Sequence, residues 1–309
     1  MELRIVSVNT SEKKGTVKKP VTSISISNHG VEGDAHAGNW HRQISLLGRE
    51  SVSRFAQEAQ RDIAFGEFAE NLTTEGVELV NTLPLDIFEG NGITLEVTQI
   101  GKKCHGTACA IFAEVGNCVM PKEGIFARVI QGGELKPGDT LVYKQRIFRF
   151  SIITLSDRAS RGEYADRSGP RIAELVSEHF AATKRKIMIE NKLISDNAIE
   201  LRQLLESEIA AGIDVVITTG GTGIGMRDIT VDTVKPMLEM EIPGIMEHIR
   251  MRYGAGNSLA LLSRSVAGIT GNTLIYTLPG SVKAINEYVP EILKTLEHLI
   301  YMRHGLDTH

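Results

Sequence analysis

The side chains best suited to binding or catalysis fall mostly at the ends of apolar runs. The most distinctive group is Ile217-Thr218-Thr219-Gly220-Gly221-Thr222-Gly223, followed closely by Arg227-Asp228. Glycine, lacking a Cβ, reaches positive φ and lets backbone N–H groups approach a ligand. A buried strand (213–217), a Gly-rich loop and a helix expected over 230–240 therefore make a ready phosphate cradle. The same pattern also suits an ordinary tight turn. It lacks the Gly-Lys-Ser/Thr ending of a P-loop, which argues against that nucleotide-binding class.

Three further turns carry similar groups. Ser156-Asp157-Arg158-Ala159-Ser160 follows Ile153-Thr154-Leu155, with Asp166 and Ser168 beyond; Ser195-Asp196-Asn197 follows the run 188–194; Leu278-Pro279-Gly280-Ser281, then Lys283, follows the run 274–277. Each has a plain structural reading, since Ser195, Asp196 or Ser281 can cap a helix N-terminus. Four such turns on successive strand ends point instead to a polyanion site along one sheet edge.

In the first half, Gly33-Asp34-Ala35-His36 sets a carboxylate and an imidazole in a Gly-rich loop, and the segment 66–76 with Glu67, Glu70 and Asn71 is similar. Both also read as turns with solvated polar residues. In Gly101-Lys102-Lys103-Cys104-His105 the neighbouring positive charge favours a thiolate, so Cys104 is a candidate to attack, carry sulfur or bind a soft metal. Cys109 and Cys118 read as small buried hydrophobes. The spacing of Cys104, His105, Cys109 and Cys118 does not match a paired zinc site.

The elements that must hold these groups follow from hydropathy. From Phe148 onward, strand-length runs alternate with helix-length segments at 172–180, 197–211, 230–240 and 282–303, the last punctuated by Pro290. This predicts a three-layer α/β sandwich with a largely parallel sheet, whose ligands sit beyond the carboxyl ends of the strands. Residues 1–144 read as many short strands with one helix at 49–60, which predicts a mostly-β barrel. The charged, unpatterned joint at 143–146 divides the chain into domains 1–146 and 147–309.

Composition bounds the function classes. The chain is 42% hydrophobic and 23% charged, as soluble globular proteins are. A net charge of −4 and a pI near 6.2 argue against a nucleic-acid binder that relies on bulk positive charge. No apolar run is long enough to span a bilayer, and Met1-Glu2-Leu3-Arg4 opens a strand pattern rather than a signal peptide. A cytoplasmic location without a membrane partner is expected. Three cysteines in one short segment do not form a secreted disulfide framework.

Gly33-Asp34-Ala35-His36, Arg42-Gln43-Ile44-Ser45-Leu46-Leu47, Glu70-Asn71-Leu72-Thr73-Thr74, Gly124-Ile125-Phe126-Ala127-Arg128-Val129 and Leu135-Lys136-Pro137-Gly138-Asp139 resemble a MOSC domain. This β-barrel module is found at the C-terminus of molybdenum cofactor sulfurases, and the resemblance covers nearly all of 1–144. It implies a cysteine that handles sulfur or binds the molybdenum cofactor. Cys104 fills that position after the strand 95–97, with Asp34 and His36 in the same site. Many family members have Pro and Arg just before this cysteine, where this chain has Lys102-Lys103.

Ser156-Asp157-Arg158-Ala159-Ser160, Thr218-Thr219-Gly220-Gly221-Thr222-Gly223, Arg227-Asp228-Ile229-Thr230, Glu241-Ile242-Pro243-Gly244, Leu262-Ser263-Arg264 and Leu278-Pro279-Gly280-Ser281 resemble the Mog-type molybdopterin adenylyltransferases. The gephyrin G-domain belongs to the same group, and the resemblance runs from about 148 to 305. A departure is Ile224-Gly225-Met226 at the loop tip, where close relatives often have Pro and small or basic residues.

The implied reaction transfers AMP from ATP to the terminal phosphate of molybdopterin and releases pyrophosphate, with Mg²⁺ near the α-phosphate. The nucleophile is already anionic, so the demand is for positioning and charge neutralisation. By resemblance, Asp228 and Asp196 are the catalytic, magnesium-holding acids. Thr219, Gly220, Gly221, Thr222 and Gly223, with Pro279, Gly280 and Ser281, contact the nucleotide. Ser156, Asp157, Arg158, Ser263 and Arg264 contact the pterin or its phosphate. The resemblance also implies a homo-oligomer, commonly a trimer, with other molybdenum cofactor biosynthesis proteins as possible partners. Two readings remain open: an adenylyltransferase whose MOSC domain binds cofactor or handles sulfur, and a non-catalytic carrier or chaperone of molybdopterin or finished cofactor.

Overall fold

The structure, a computed structural model, describes residues 1–102 and 119–306; Cys104, Cys109 and Cys118 lie outside them. The described chain divides into two compact units, one formed chiefly by Met1–Arg146 and the other by Ile147–Gly305.

The described residues of the first unit form eleven strands, seven of which close on themselves while three pair as a separate small sheet. They are β1 (Glu2–Thr10), β2 (Lys19–Val21), β3 (Ile24–Ser27), β4 (Gly30–Val31), β5 (Ile44–Gly48), β6 (Leu72–Glu75), β7 (Ile87–Gly90), β8 (Ile93–Ile100), β9 (Ile125–Gln131), β10 (Gly133–Leu135) and β11 (Thr140–Lys144). The order β11-β7-β8-β9-β5-β6-β1 returns to β11 through Leu3↔Leu141 pairing, giving a seven-stranded barrel with β2 appended to β1. Closure removes the exposed edges an open sheet would leave. The barrel interior is filled by fully buried Leu3, Ile5, Leu46, Phe88, Leu95, Ile125 and Leu141. The expected helix spans Arg49–Ala59 and stops where Gln60 turns left-handed at φ 51°.

The second unit is an α/β fold. Its sheet uses β12 (Ile147–Leu155), β13 (Lys186–Ile194), β14 (Val215–Thr219), β15 (Met240–Glu241), β16 (Ala267–Thr270) and β17 (Thr273–Leu278), ordered β13-β12-β14-β17-β16-β15. The first three pairings are parallel and the last two antiparallel, so the sheet is mixed where a largely parallel one was expected. The cause is local. Thr270 pairs with Thr273, leaving Gly271-Asn272 as a two-residue turn with Gly271 at φ 56°. So short a turn joins only antiparallel neighbours.

Helices lie at Ser168–Ala181, Ala198–Ala210, Pro243–Gly254 and Val282–Arg303. The segment expected as one helix over 230–240 is instead Thr230–Val234 followed by a 3-10 turn, Lys235–Met237. Pro236 lacks an N–H and its ring crowds the preceding turn, which ends the helix there. Pro290 does not interrupt the last helix; Ile285, Val289, Ile292 and Leu296 stay buried along one face across it. In the sheet, Leu155 pairs with Ile194, Thr154 with Thr219, and Thr219 with Leu278. Strands β12, β13, β14 and β17 therefore end level, and the four chemistry-bearing turns leave from one edge.

Candidate functional site

The glycine loop is held by its surroundings at two residues. Gly220 has φ 103°, and a Cβ there would come within 2.4 Å of the Leu155 carbonyl oxygen; Gly221 has φ 61°, and its Cβ would lie 2.6 Å from Thr230 Oγ1. Glycine is required at both. Thr230 Oγ1 donates to the Gly220 carbonyl (2.8 Å), and Thr230 N–H to that of Gly221 (3.1 Å). On the other side, Gly220 N–H donates to Leu278 O and Thr219 Oγ1 to Pro279 O, both at 3.0 Å.

The acids are set by backbone donors. Asp228 Oδ2 accepts from Gly225 N–H at 2.7 Å. Asp157 and Asp196 hold each other: Asp157 N–H donates to Asp196 Oδ2 (3.1 Å), and Asp196 N–H donates to Asp157 Oδ1 (3.0 Å). Asp157 Oδ2 also lies 3.8 Å from the Arg227 guanidinium. Oδ1 of Asp196 and Oδ1 of Asp228 thus remain without a hydrogen bond among the described residues.

These groups line two adjoining hollows. The smaller, of about 180 Å³, is polar and is lined by Ser156, Asp157, Arg158, Asp196, Gly221, Arg227 and Asp228. The larger, of about 410 Å³, runs from Gly221-Thr222-Gly223 and Asp228 past Ser263 to Pro279-Gly280-Ser281. Leu259, Leu262 and Ala284 give it an apolar side, and Lys283 adds a cation. Tyr288 also lines it; that side chain is 1% exposed, and its hydroxyl is buried with no partner among the described residues. Gly221 and Asp228 belong to both hollows.

Most of the residues singled out from the sequence therefore converge, but three sit elsewhere. Thr219 and Gly220 lie beneath the loop, bonded to β17 as above. Arg264 braces the outer side of the loop: its guanidinium donates to both Asp232 carboxylate oxygens (3.1 and 2.7 Å) and to the Gly223 carbonyl (3.0 Å). Sequence reasoning missed Asn257, Tyr288 and Tyr164 as site residues. Asn257 caps a 3-10 turn that the hydropathy pattern did not show, and Tyr288 looks like an ordinary core position one turn after Ala284. Tyr164 sits 2.8 Å from Ser156 Oγ through its hydroxyl, with Arg158 over its ring at 5.2 Å.

In the first unit Asp34 is buried and accepts from Lys18 Nζ, from Ser11 N–H (3.0 Å) and from His36 N–H (2.9 Å). Burial pushes its carboxyl up, yet the hydrogen bonds from His36 and Lys18 prevail and hold it well below the usual carboxylate range. Lys18, unflagged by sequence because it stands in an unpatterned Lys-Lys pair, is the buried counter-ion. His36 lines a separate hollow beside Trp40 and Arg42. Cys104 falls outside the described residues.

Among the described residues, no group of three or more His, Cys, Asp or Glu side chains converges to cage a metal ion. The unengaged oxygens of Asp196 and Asp228 in one polar hollow suit a cation of another kind. Mg²⁺ is typically held by one or two carboxylates and completed by substrate phosphates and water.

The fold and cleft define an α/β ligand-binding domain joined to a β-barrel domain. Residues 151–298 match the family described as a probable molybdopterin binding domain, and residues 33–142 match the MOSC domain. A molybdopterin adenylyltransferase of Pyrococcus furiosus is 35% identical over 163 residues, 50% of this chain and 90% of its own length. Molybdenum cofactor biosynthesis protein B of Staphylococcus carnosus is 36% identical over 159 residues, covering 50% of this chain and 91% of that protein. The molybdenum cofactor synthesis protein cinnamon of Drosophila melanogaster is 34% identical over 158 residues, and there the match spans only 25% of the relative's length. The chain belongs, through its second unit, to this family of Mog- and MoaB-type molybdopterin-binding proteins, with a MOSC domain preceding it.

Proposed function

We propose that the second unit transfers AMP from ATP to the terminal phosphate of molybdopterin, within molybdenum cofactor biosynthesis. The observation that carries this reading is that Asp228 and Gly221 are common to two adjoining hollows, so two phosphate-bearing substrates can meet at one carboxylate and one set of backbone donors. The adenylyltransferase relative and the matched family support the same chemistry.

In this mechanism the larger cavity takes ATP. Its apolar side, Leu259 and Leu262, faces the adenine, while Gly221-Thr222-Gly223, Gly280 and Ser281 hold the phosphates. Arg158 and Ser156 in the smaller hollow hold the pterin phosphate. A terminal phosphate oxygen of molybdopterin attacks the α-phosphorus of ATP, a new P–O bond forms, and the bond to pyrophosphate breaks with its electron pair leaving on pyrophosphate. Asp196 and Asp228 are the residues that would hold Mg²⁺, and the ion would supply charge neutralisation at the phosphates. The protein's contribution is alignment of two anions that would otherwise repel.

The MOSC domain binds the cofactor or handles sulfur through Cys104 in this reading, and the protein works as a cytoplasmic homo-oligomer, a trimer. Among the described residues no helix is long and apolar enough to cross a membrane. The test is pyrophosphate release on mixing the protein with ATP, Mg²⁺ and molybdopterin. Asp228→Asn and Asp196→Asn should lower it by orders of magnitude with the far-UV circular dichroism unchanged. Binding of both substrates without pyrophosphate release would replace the enzyme by a carrier.

A further inference from the structure

We propose that Tyr164 is a positioning residue for the phosphate end of molybdopterin: its ring steadies Arg158 and its hydroxyl orients Ser156. The identity of the ligand rests on the adenylyl-transfer reading, whereas the brace itself rests on the geometry of three side chains.

Arg158 is the group that needs holding. Two arginines line the polar hollow with Asp196 and Asp228. Arg227 faces Asp157 at 3.8 Å, but Arg158 is exposed and has neither an ion pair nor a side-chain hydrogen bond among the described residues. Its guanidinium instead lies 5.2 Å from the centroid of the Tyr164 ring, within cation–π distance. A carboxylate partner would consume the guanidinium N–H groups. An aromatic face attracts the cation and leaves those donors free for phosphate oxygens. An arginine already confined in this way loses less rotamer freedom when the anion arrives.

The hydroxyl acts on the neighbouring donor. Tyr164 Oη lies 2.8 Å from Ser156 Oγ, which also accepts from Ala159 N–H at 3.2 Å as the N-cap of the short helix Asp157–Ser160. A serine hydroxyl has one proton and two lone pairs. The phenol is the more acidic of the two hydroxyls, so it donates. Both Ser156 lone pairs are then taken, and its own proton is left for a ligand oxygen.

The brace is anchored independently of what it holds. Tyr164 stands between the short helix and the helix Ser168–Ala181. On one side Gly162 N–H donates to Ala159 O (2.9 Å) and Glu163 N–H to Arg158 O (3.0 Å). On the other, Asp166 accepts from Thr154 Oγ1 (2.7 Å) and from Ser168 N–H (2.8 Å). Tyr164 remains 46% exposed, facing a separate hollow of about 260 Å³ that also contains Ser156 and Asp166. A tyrosine so exposed adds little to a core, so packing does not account for its place against Arg158 and Ser156.

Direct titration of the full-length protein with molybdopterin in the absence of ATP, together with steady-state kinetics, tests the role. Tyr164→Phe keeps the ring and loses the Ser156 contact, and should bind molybdopterin about threefold more weakly. Tyr164→Leu loses both contacts and should bind it about tenfold more weakly. Both variants should keep the KM for ATP and the far-UV circular dichroism of the wild type. In an Arg158→Ala background, Tyr164→Leu should cost clearly less than it does alone, because the ring then has no cation to hold. Additive losses would make Tyr164 a direct ligand contact and overturn the proposal, as would wild-type affinity in Tyr164→Leu or an equal rise in the KM for ATP. Molybdopterin binding without pyrophosphate release sinks the adenylyl-transfer reading alone, and the titrations still decide the brace. If Tyr164→Leu fails to fold, wild-type affinity in Tyr164→Phe overturns the proposal.

Discussion

Removing a single oxygen atom at Tyr288 should move stability and nucleotide affinity in opposite directions. The side chain is 1% exposed, lines the larger cavity, and keeps its hydroxyl buried with no partner among the described residues. A buried polar group left unsatisfied costs about 1–3 kcal/mol, and phenylalanine fills the same ring space without that cost. Tyr288→Phe should therefore stabilise the ligand-free protein by about 1–2 kcal/mol. For a unit of this size that is a rise of roughly 2–8 °C in melting temperature. If ATP fills the cavity as proposed and its binding opens access to the hydroxyl, the hydroxyl would gain a partner, a net hydrogen bond worth about 0.5–1.5 kcal/mol. The variant should then bind ATP about two- to tenfold more weakly. Calorimetric melting with and without ATP, together with an ATP titration, reads both quantities on the same samples. A lower melting temperature with unchanged ATP affinity would refute the reasoning, because it would show the hydroxyl to be satisfied within the fold and remote from the ligand.

Gly220→Ala should cost more than about 1 kcal/mol in denaturant unfolding, since it combines φ 103° with a carbonyl 2.4 Å from the new Cβ; it should also abolish saturable ATP binding. For Arg264, steady-state kinetics separate a brace from a substrate contact. Arg264→Asp and Asp232→Arg should each lower kcat with little change in KM for molybdopterin, and the double exchange should recover part of the loss; a raised KM without recovery would make Arg264 a direct phosphate ligand. In the first unit, Asp34 has a folded pKa below its unfolded value of about 3.9, so its contribution is fully present above that pH and is lost as pH falls through the lower folded value. Asp34→Asn should accordingly be less stable than wild type at neutral pH and lose less stability on acidification below about pH 4, followed by Trp40 fluorescence.

What the sequence made legible was local. Strand runs, the acids in their turns and the demand for glycine at Gly220 and Gly221 are all encoded within a few residues, so they can be read without knowing what lies opposite. The antiparallel edge was missed because Gly271-Asn272 is a short signal between two runs that separately resemble any other strand. Lys18 was missed because a buried lysine has no hydropathy signature, and only its fold partner Asp34 explains it. The resemblance makes Arg264 a contact to the pterin or its phosphate, and the sequence alone does not show that Asp232, in the short helix after the glycine loop, pairs with its guanidinium. Tyr288 was missed because it carries the periodicity of core.

Register explains why the acidic turns act together. Leu155 pairs with Ile194, so Asp157 and Asp196 stand two residues beyond a matched pair, where the parallel ladder has stopped supplying acceptors for their N–H groups. Each carboxylate fills the other's vacancy, and the exchange uses one oxygen of Asp196 but effectively both of Asp157, whose second oxygen faces Arg227. On the proposed reading Asp157 would act as a positioning residue, since it bonds the Asp196 backbone while Asp196 Oδ1 keeps no hydrogen bond among the described residues. The next strand adds Asp228 by a different device, a turn closed on Gly225, after a glycine loop that must pass within van der Waals reach of Leu155 and Gly280. Two acids with one open oxygen each, held on separate strand ends by backbone donors, would need little rearrangement to receive the phosphate-bound cation of the proposed reaction. Preorganisation of that kind is what a transfer between two anions requires, because the protein must oppose their repulsion before any bond is made.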